Sequence, residues 1–417
     1  MKTRLICLLF ALVLLLAACG EATESQAPAS SAPAAESSEI ASSTTESSAE
    51  TSSEVPEVSV ETSTEVSDET SDEPTETESF MSYEIPDNYK DMYENPFTDA
   101  ELVDMEVSFY TTSYSITYRY GDGSYYRMWL VKKKWGMWML GAMEYTYANG
   151  TRVGMSSSST DYEWVLNCGK VGGNITFRGG NHGDYTYADW NAEDTTKTND
   201  HFIDMTLYNA ETGEKLNVGV NKTVKTKGLF VVIHNNIYEG EYKEENVLIA
   251  VEKLYLFNGS GVSVKSNLKM VSDVSFGFAY SCMFPVDKNY GNYVVFHNDD
   301  GTQKVVKTPT VGTSNYGNNF NNNNKSSKVT LFGEKDPTCH MTVEIHNPED
   351  MFYQSSRHAM LWDMNPTSNK LYFSAFNHTT KTTVKKGTEF VYDSSWTFSH
   401  NPGFTLPEAD VTLGFSS

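Results

Sequence analysis

Val262-Ser263-Val264-Lys265-Ser266-Asn267-Leu268-Lys269-Met270-Val271 sends Val262, Val264, Leu268 and Met270 to one side and Ser263, Lys265, Asn267 and Lys269 to the other. A period of two marks a strand with one face in a core and one toward solvent. The same alternation runs through Val107–Tyr118, Phe202–Tyr208 and Lys370–Phe376. Turn chemistry punctuates these runs at Gly121-Asp122-Gly123, Asn149-Gly150, Glu211–Glu214, Asn258-Gly259 and Asp299-Asp300-Gly301. Several of these turns join strand pairs directly, which predicts hairpins and antiparallel sheets rather than βαβ units. Scarcely any helical period appears, and residues 81–417 read as an all-β domain, long enough for one large core or two intimate ones. Ile85–Leu102 reads as an irregular or helical lead-in, and Asn315–Ser327, rich in asparagine, as a long polar loop between strands.

The amino terminus is a different material. Lys2 and Arg4 precede an apolar run, Leu5–Leu16, too short for an ordinary membrane span. This predicts an export signal over residues 1–18. Leu16-Ala17-Ala18-Cys19-Gly20 resembles a bacterial lipobox, and on that resemblance Cys19 becomes the first mature residue and carries lipid. The plainer alternative is an ordinary secretory signal that contains a cysteine. Residues 19–80 are dominated by Ser, Thr, Glu, Ala, Pro and Val, which cannot bury a core and predict a disordered tether. With the 16 acids of Glu21–Glu78 and the cations Lys2 and Arg4 set aside, the chain's net charge of −24 leaves −10 for residues 81–417. No basic stripe of the kind nucleic acid requires is present. The expected location is outside the cytoplasm, with the membrane reached through the lipid on Cys19.

Beyond Cys19 only Cys168, Cys282 and Cys339 remain. Three thiols allow at most one internal disulfide, and no pair has zinc-ligand spacing. No metal and no cofactor is expected.

The densest chemistry lies in Arg178-Gly179-Gly180-Asn181-His182-Gly183-Asp184-Tyr185, where glycines open the backbone around an imidazole. It follows Asp161–Leu166. It precedes a predicted hairpin over Phe202–Val220, then Phe230–Tyr238, Leu254–Phe257, Cys282–Pro285 and Lys386-Gly387-Thr388 before a last strand. This order, with its Gly-Gly-x-His-Gly-acid motif, resembles the galactose-mutarotase-like β-supersandwich of several polysaccharide lyases and of related bacterial and phage proteins. The resemblance covers roughly residues 105–400 and implies an antiparallel β-sandwich or supersandwich acting on or binding a polysaccharide.

A lyase acting on a uronic-acid sugar must neutralise the carboxylate, remove the C5 proton and protonate the leaving oxygen. The residues available for proton transfer are His182, His234, Tyr185 and Tyr238, while Arg178, Asn181, Asp184 and Asn235 are suited to hold substrate. Each has a plainer reading. His182 with Asp184 fills a tight turn, His234 is a satisfied histidine at a strand end, and any one of 25 tyrosines is ordinary packing. A non-catalytic alternative uses the rings of Tyr125–Trp129 and Trp135–Trp138 beside Lys132-Lys133-Lys134, since rings stack on sugars and cations suit an anionic glycan. The same residues also serve as strand formers and edge guards. An adhesive surface lipoprotein that has lost catalysis is the third class.

Overall fold

The computed structural model describes residues 83–93, 97, 101–133, 136–156, 163–180, 199–240, 242–312, 319–322, 324–351, 359–376 and 381–414. The chain divides into two units, 1–75 and 76–417, and all described residues belong to the second.

The expected alternation is carried through to burial along Gly261–Met270, whereas Ser368–Phe373 is buried on both faces. Along Gly261–Met270, Val262, Val264, Leu268 and Met270 are buried, while Ser263, Lys265 and Lys269 keep more of their surface. Each such apolar side chain contributes about 2 kcal/mol on burial. The described strands are, in order, β1 (Asp104–Phe109), β2 (Ser113–Arg119), β3 (Tyr125–Lys132), β4 (Trp138–Thr146), β5 (Arg152–Gly154), β6 (Glu163–Lys170), β7 (Thr176–Gly180) and β8 (Asp200–Asn209). Then follow β9 (Lys222–Lys227), β10 (Leu229–Tyr238), β11 (Val247–Asn258), β12 (Gly261–Met270), β13 (Val274–Asp287), β14 (Tyr293–His297), β15 (Gln303–Lys307) and β16 (Asn319–Asn322). The last are β17 (Lys328–Gly333), β18 (Asp336–Ile345), β19 (Ala359–Asp363), β20 (Ser368–Phe376), β21 (Thr382–Val384), β22 (Glu389–His400) and β23 (Val411–Thr412).

They form three sheets. A six-stranded sheet runs β5-β4-β3-β2-β1-β9, a ten-stranded sheet β23-β15-β14-β17-β18-β22-β12-β11-β10-β8, and a seven-stranded sheet β16-β19-β20-β13-β6-β7. Pairing is antiparallel except between β15 and β23. One face of the ten-stranded sheet is shared by the two smaller sheets, and a single core joins all three. Tyr126 stacks on Phe398 with centroids 4.7 Å apart, linking the six-stranded sheet to it, and Phe284 meets Trp396 edge-on at 5.5 Å from the seven-stranded one. The all-β antiparallel sandwich read from the sequence is therefore the architecture found.

Three readings change in detail. Val107–Tyr118 is two strands, β1 and β2, folded back through Tyr110–Thr112, where the Tyr110 amide donates to the Ser113 carbonyl at 2.9 Å. The hairpin expected over Phe202–Val220 has one full limb, β8. Its return makes a single bridge, Tyr208 with Lys215, before β9 crosses to the six-stranded sheet. The asparagine run is not loop throughout, because Asn319–Asn322 pairs with β19 and Phe320 packs on Phe296 with centroids 5.4 Å apart. One aromatic anchor among polar neighbours is enough to hold an edge strand. Of Ile85–Leu102, expected as an irregular or helical lead-in, the described residues 85–93, 97, 101 and 102 form no strand and carry a 3-10 turn at Tyr89–Asp91.

No disulfide joins Cys168, Cys282 and Cys339, which are all buried thiols. The core also encloses charge. Lys253 Nζ lies 3.1 Å from Glu163 and donates to the Trp138 carbonyl at 3.0 Å, while the Tyr255 hydroxyl and the Leu140 amide donate to the same carboxylate.

Candidate functional site

β10 is buried on both faces along its whole length. Leu229, Val231, Ile233 and Ile237 enter the shared core, so Phe230, Val232, His234, Asn236 and Tyr238 lie on the opposite face. Strand register then brings His234 directly beside Asp204 of β8 and Glu252 of β11, with Asn267 of β12 next in line. A polar row thus crosses four strands of the ten-stranded sheet.

His234 Nδ1 donates to Asp204 at 2.8 Å and Nε2 donates to Glu252 at 3.2 Å. Carboxylates only accept, so both ring nitrogens carry hydrogen and the imidazole is held as its cation. Burial alone pushes the His234 pKa down, but the hydrogen bonds and charges of Asp204 and Glu252 outweigh it and raise the value. Burial in turn pushes Glu252 up. Donors from His234, Tyr93 and Asn267 outweigh that and hold it below the usual carboxylate range. Asn267 Nδ2 donates to Glu252 at 2.9 Å, and the Tyr93 hydroxyl donates to its other oxygen.

The row is covered. Tyr83 lies flat on the His234 ring, with centroids 3.7 Å apart and planes 9° from parallel. Burial, followed by the charges of Glu252 and Asp204, pushes the Tyr83 phenol up to about 12. From there the chain crosses to the β8 turn. The Tyr208 hydroxyl donates to the Pro86 carbonyl at 2.9 Å, the Tyr89 hydroxyl to the Ala210 carbonyl at 2.9 Å, and the Tyr89 amide to the Gly213 carbonyl at 3.0 Å. Tyr89 also packs on Phe230, at 4.2 Å between centroids. The recess left between this segment and the sheet, bounded by Pro86, Tyr93, Thr206, Tyr208 and His234, is too tight for a water molecule.

The residues singled out in the sequence are distributed as follows. His234 and Tyr238 share one face of β10, where the Asn236 amide donates to the Tyr238 hydroxyl at 3.3 Å. Asn235 points to the other face and donates to Asp200 at 2.6 Å. Arg178 lies on β7, whose backbone runs beside β8 and β10. Asn181, His182, Asp184 and Tyr185 lie outside the described residues, as do Cys19 and the tether. Among the rings considered for sugar stacking, Tyr125 and Trp129 are half-buried on an outer face, Trp138 is buried against Tyr114 at 4.7 Å, and Trp135 is outside the described residues.

Asp204, Glu252, Tyr83 and Tyr93 were not singled out in the sequence. A signal was present for two of them: Asp204 and Glu252 are acids set inside largely apolar strand runs, Phe202–Tyr208 and Val247–Phe257.

No family model and no curated protein matches the sequence. Among solved structures, the alpha-galactosidase AgaB of Geobacillus stearothermophilus is similar over 71% of this chain and 41% of its own, at 8% identity and a TM-score of 0.36. The galactosidase domain of the alpha-galactosidase-sucrose kinase AgaSK is similar over 70% and 42%, at 11% identity and 0.35. A Klebsiella pneumoniae protein described as an aldose 1-epimerase is similar over 69% and 80%, at 10% identity and 0.35. The chain spans about two fifths of the length of the galactosidases it matches. Similarity at this level says nothing of this chain's chemistry.

Proposed function

We propose that this chain is an extracytoplasmic, lipid-tethered carbohydrate-binding protein that holds a polysaccharide without cleaving it. The observation behind this reading is the locked imidazole of His234, engaged on both nitrogens and covered by Tyr83. A proton-transfer histidine needs a nitrogen within hydrogen-bond reach of its substrate, and here both are taken. The row of Asp204, His234, Glu252 and Asn267 acts instead as a clasp that fastens residues 83–93 to the sheet. In this reading Cys19 carries the lipid and residues 19–80 space the domain from the membrane. Among the described residues no helix is long and apolar enough to cross a membrane.

Lyase-like β-elimination is the second reading. It is favoured by the sharing of one face by His234, Tyr238, Tyr83 and Tyr93, and it requires residues 83–93 to lift away. One experiment separates the two. The full chain is incubated with a panel of uronic-acid and neutral polysaccharides, following retention on each polymer and absorbance of the unsaturated product. Retention without product supports binding; product that His234→Ala abolishes supports the lyase; neither signal removes both readings.

A further inference from the structure

The outer face of the six-stranded sheet is built from a second alternation. β3 sends Tyr126, Met128 and Leu130 into the core and Tyr125, Arg127 and Trp129 outward. Tyr110, 43% exposed in the β1–β2 turn, stacks on Trp129 with centroids 6.1 Å apart and 30° between planes. The Arg127 guanidinium lies 4.9 Å from the Tyr125 centroid and 5.8 Å from that of Trp129. Arg119 stands 5.5 Å from the Tyr125 centroid. Rings and guanidinium groups therefore form one row, Tyr110, Trp129, Arg127, Tyr125, Arg119. The Tyr125-to-Trp129 portion alone spans about 13 Å of extended strand.

Hydroxyls border this row. Ser115, buried beneath the row, pairs with Trp129 across the sheet, and beyond it half-buried Ser108 and exposed Thr223 hydrogen-bond each other at 2.9 Å and supply the accessible hydroxyls. Thr117 accepts from Arg127 Nε at 3.3 Å. Charge on the same face is locally inverted. Arg119, Arg127, Arg152, Lys225 and Lys227 meet Asp104, Glu106 and Glu144, with Glu211 on Lys227 at 2.9 Å, which leaves one more cation than acids on a domain whose residues 81–417 sum to −10. Glu144 takes Arg127 Nη1 at 3.2 Å. Glu106 takes Arg119 only at 3.4 Å, and that side chain is 57% exposed.

An aromatic ring offers an apolar face to the C–H side of a sugar, hydroxyls exchange hydrogen bonds with its rim, and a guanidinium fork matches a carboxylate. All three occur here in one line. We propose that this face is a binding platform for an acidic polysaccharide, with sugar rings on Tyr110, Trp129 and Tyr125 and uronate carboxylates on Arg119 and Arg127. This rests on the carbohydrate-binding reading above and gives it a surface and a ligand class. The platform is separate from the His234 row, which lies on the ten-stranded sheet.

The test uses the full chain, with polygalacturonate as the acidic probe and dextran as the neutral one, followed by affinity electrophoresis and titration calorimetry. Trp129→Ala is expected to weaken polygalacturonate binding at least tenfold, and Arg119→Gln, on an exposed side chain with little bearing on folding, to weaken it several-fold with a flatter salt dependence. Lys269→Gln, which removes a 62% exposed cation from the ten-stranded sheet, leaves binding unchanged. Wild-type binding that neither Trp129→Ala nor Arg119→Gln alters would overturn the platform while leaving the carbohydrate reading standing. Equal affinity for dextran would overturn the acidic ligand class. Binding of no polysaccharide would remove both proposals, and self-association abolished by Trp129→Ala without polysaccharide binding would assign the face to a second copy of the chain.

Discussion

The ring of Tyr83 lies on the ring of His234, 3.7 Å between centroids and 9° from parallel. One residue sits at the start of the described chain and the other in the middle of the largest sheet, so their contact fixes where residues 83–93 enter the domain. Tyr83→Ala is expected to cost about 1 kcal/mol of ring stacking and to open the imidazole to solvent. Faster deuterium exchange at the His234 carbon between the two ring nitrogens, read by peptide mass, checks this.

The clasp is pH-dependent with a definite sign. The His234 pKa is raised from its ordinary 6.5, so its stabilisation is complete below that value and is lost as pH rises through the raised one. Glu252 is lowered from 4.5, so its contribution is present above 4.5 and is lost as pH falls through the lowered value. Protection of residues 83–93 from proteolysis should be greatest between these two ordinary values and decline on both sides. Uniform protection through the alkaline limb would contradict the cationic His234.

Removing the imidazole leaves Asp204 and Glu252 facing each other across β10 with no cation between them. His234→Ala is expected to destabilise the domain by about 3 kcal/mol, measured as a shift in urea midpoint at unchanged m-value. Adding Glu252→Gln should recover part of that loss, because one of the two carboxylates is then gone.

Gly213 sits at φ +83°, and a Cβ there would stand 2.1 Å from Asn88 Oδ1, the atom that caps the Tyr89–Asp91 turn. Gly213→Ala should therefore release residues 83–93 to proteases while the far-ultraviolet circular dichroism of the sheets is kept. An unaltered cleavage pattern would show that the turn is not what seats the segment.

Lys253 and Glu163 are buried together in the core, at 1% and 4% exposure. Lys253→Met alone strands a carboxylate and should cost about 3–5 kcal/mol. Lys253→Met with Glu163→Gln should cost clearly less than the sum of the single changes, since the two groups share one interaction.

The sheets were legible because burial on one side writes a period of two into β1 and β12, and because Asn-Gly and Asp-Gly turns name their own hairpins. β16 was not legible, since asparagine favours turns and only Phe320 betrays the strand. The clasp was half legible. His234 interrupts an apolar run, but its partners stand 30 positions before it and 18 after, and only strand register brings them together. Tyr83 carries no signal at all at the margin of a low-complexity tract, because its role depends on where the sheet receives it.

The central claim is that this domain holds a polysaccharide and leaves it intact. The most direct measurement is titration of the full chain with a uronic-acid oligosaccharide to saturation, followed by recovery of the sugar and determination of its mass. Saturable binding with the oligosaccharide recovered unbroken is the predicted result. Recovery of shorter, unsaturated products in amounts that grow with time, and that vanish with His234→Ala, would contradict it and restore the lyase.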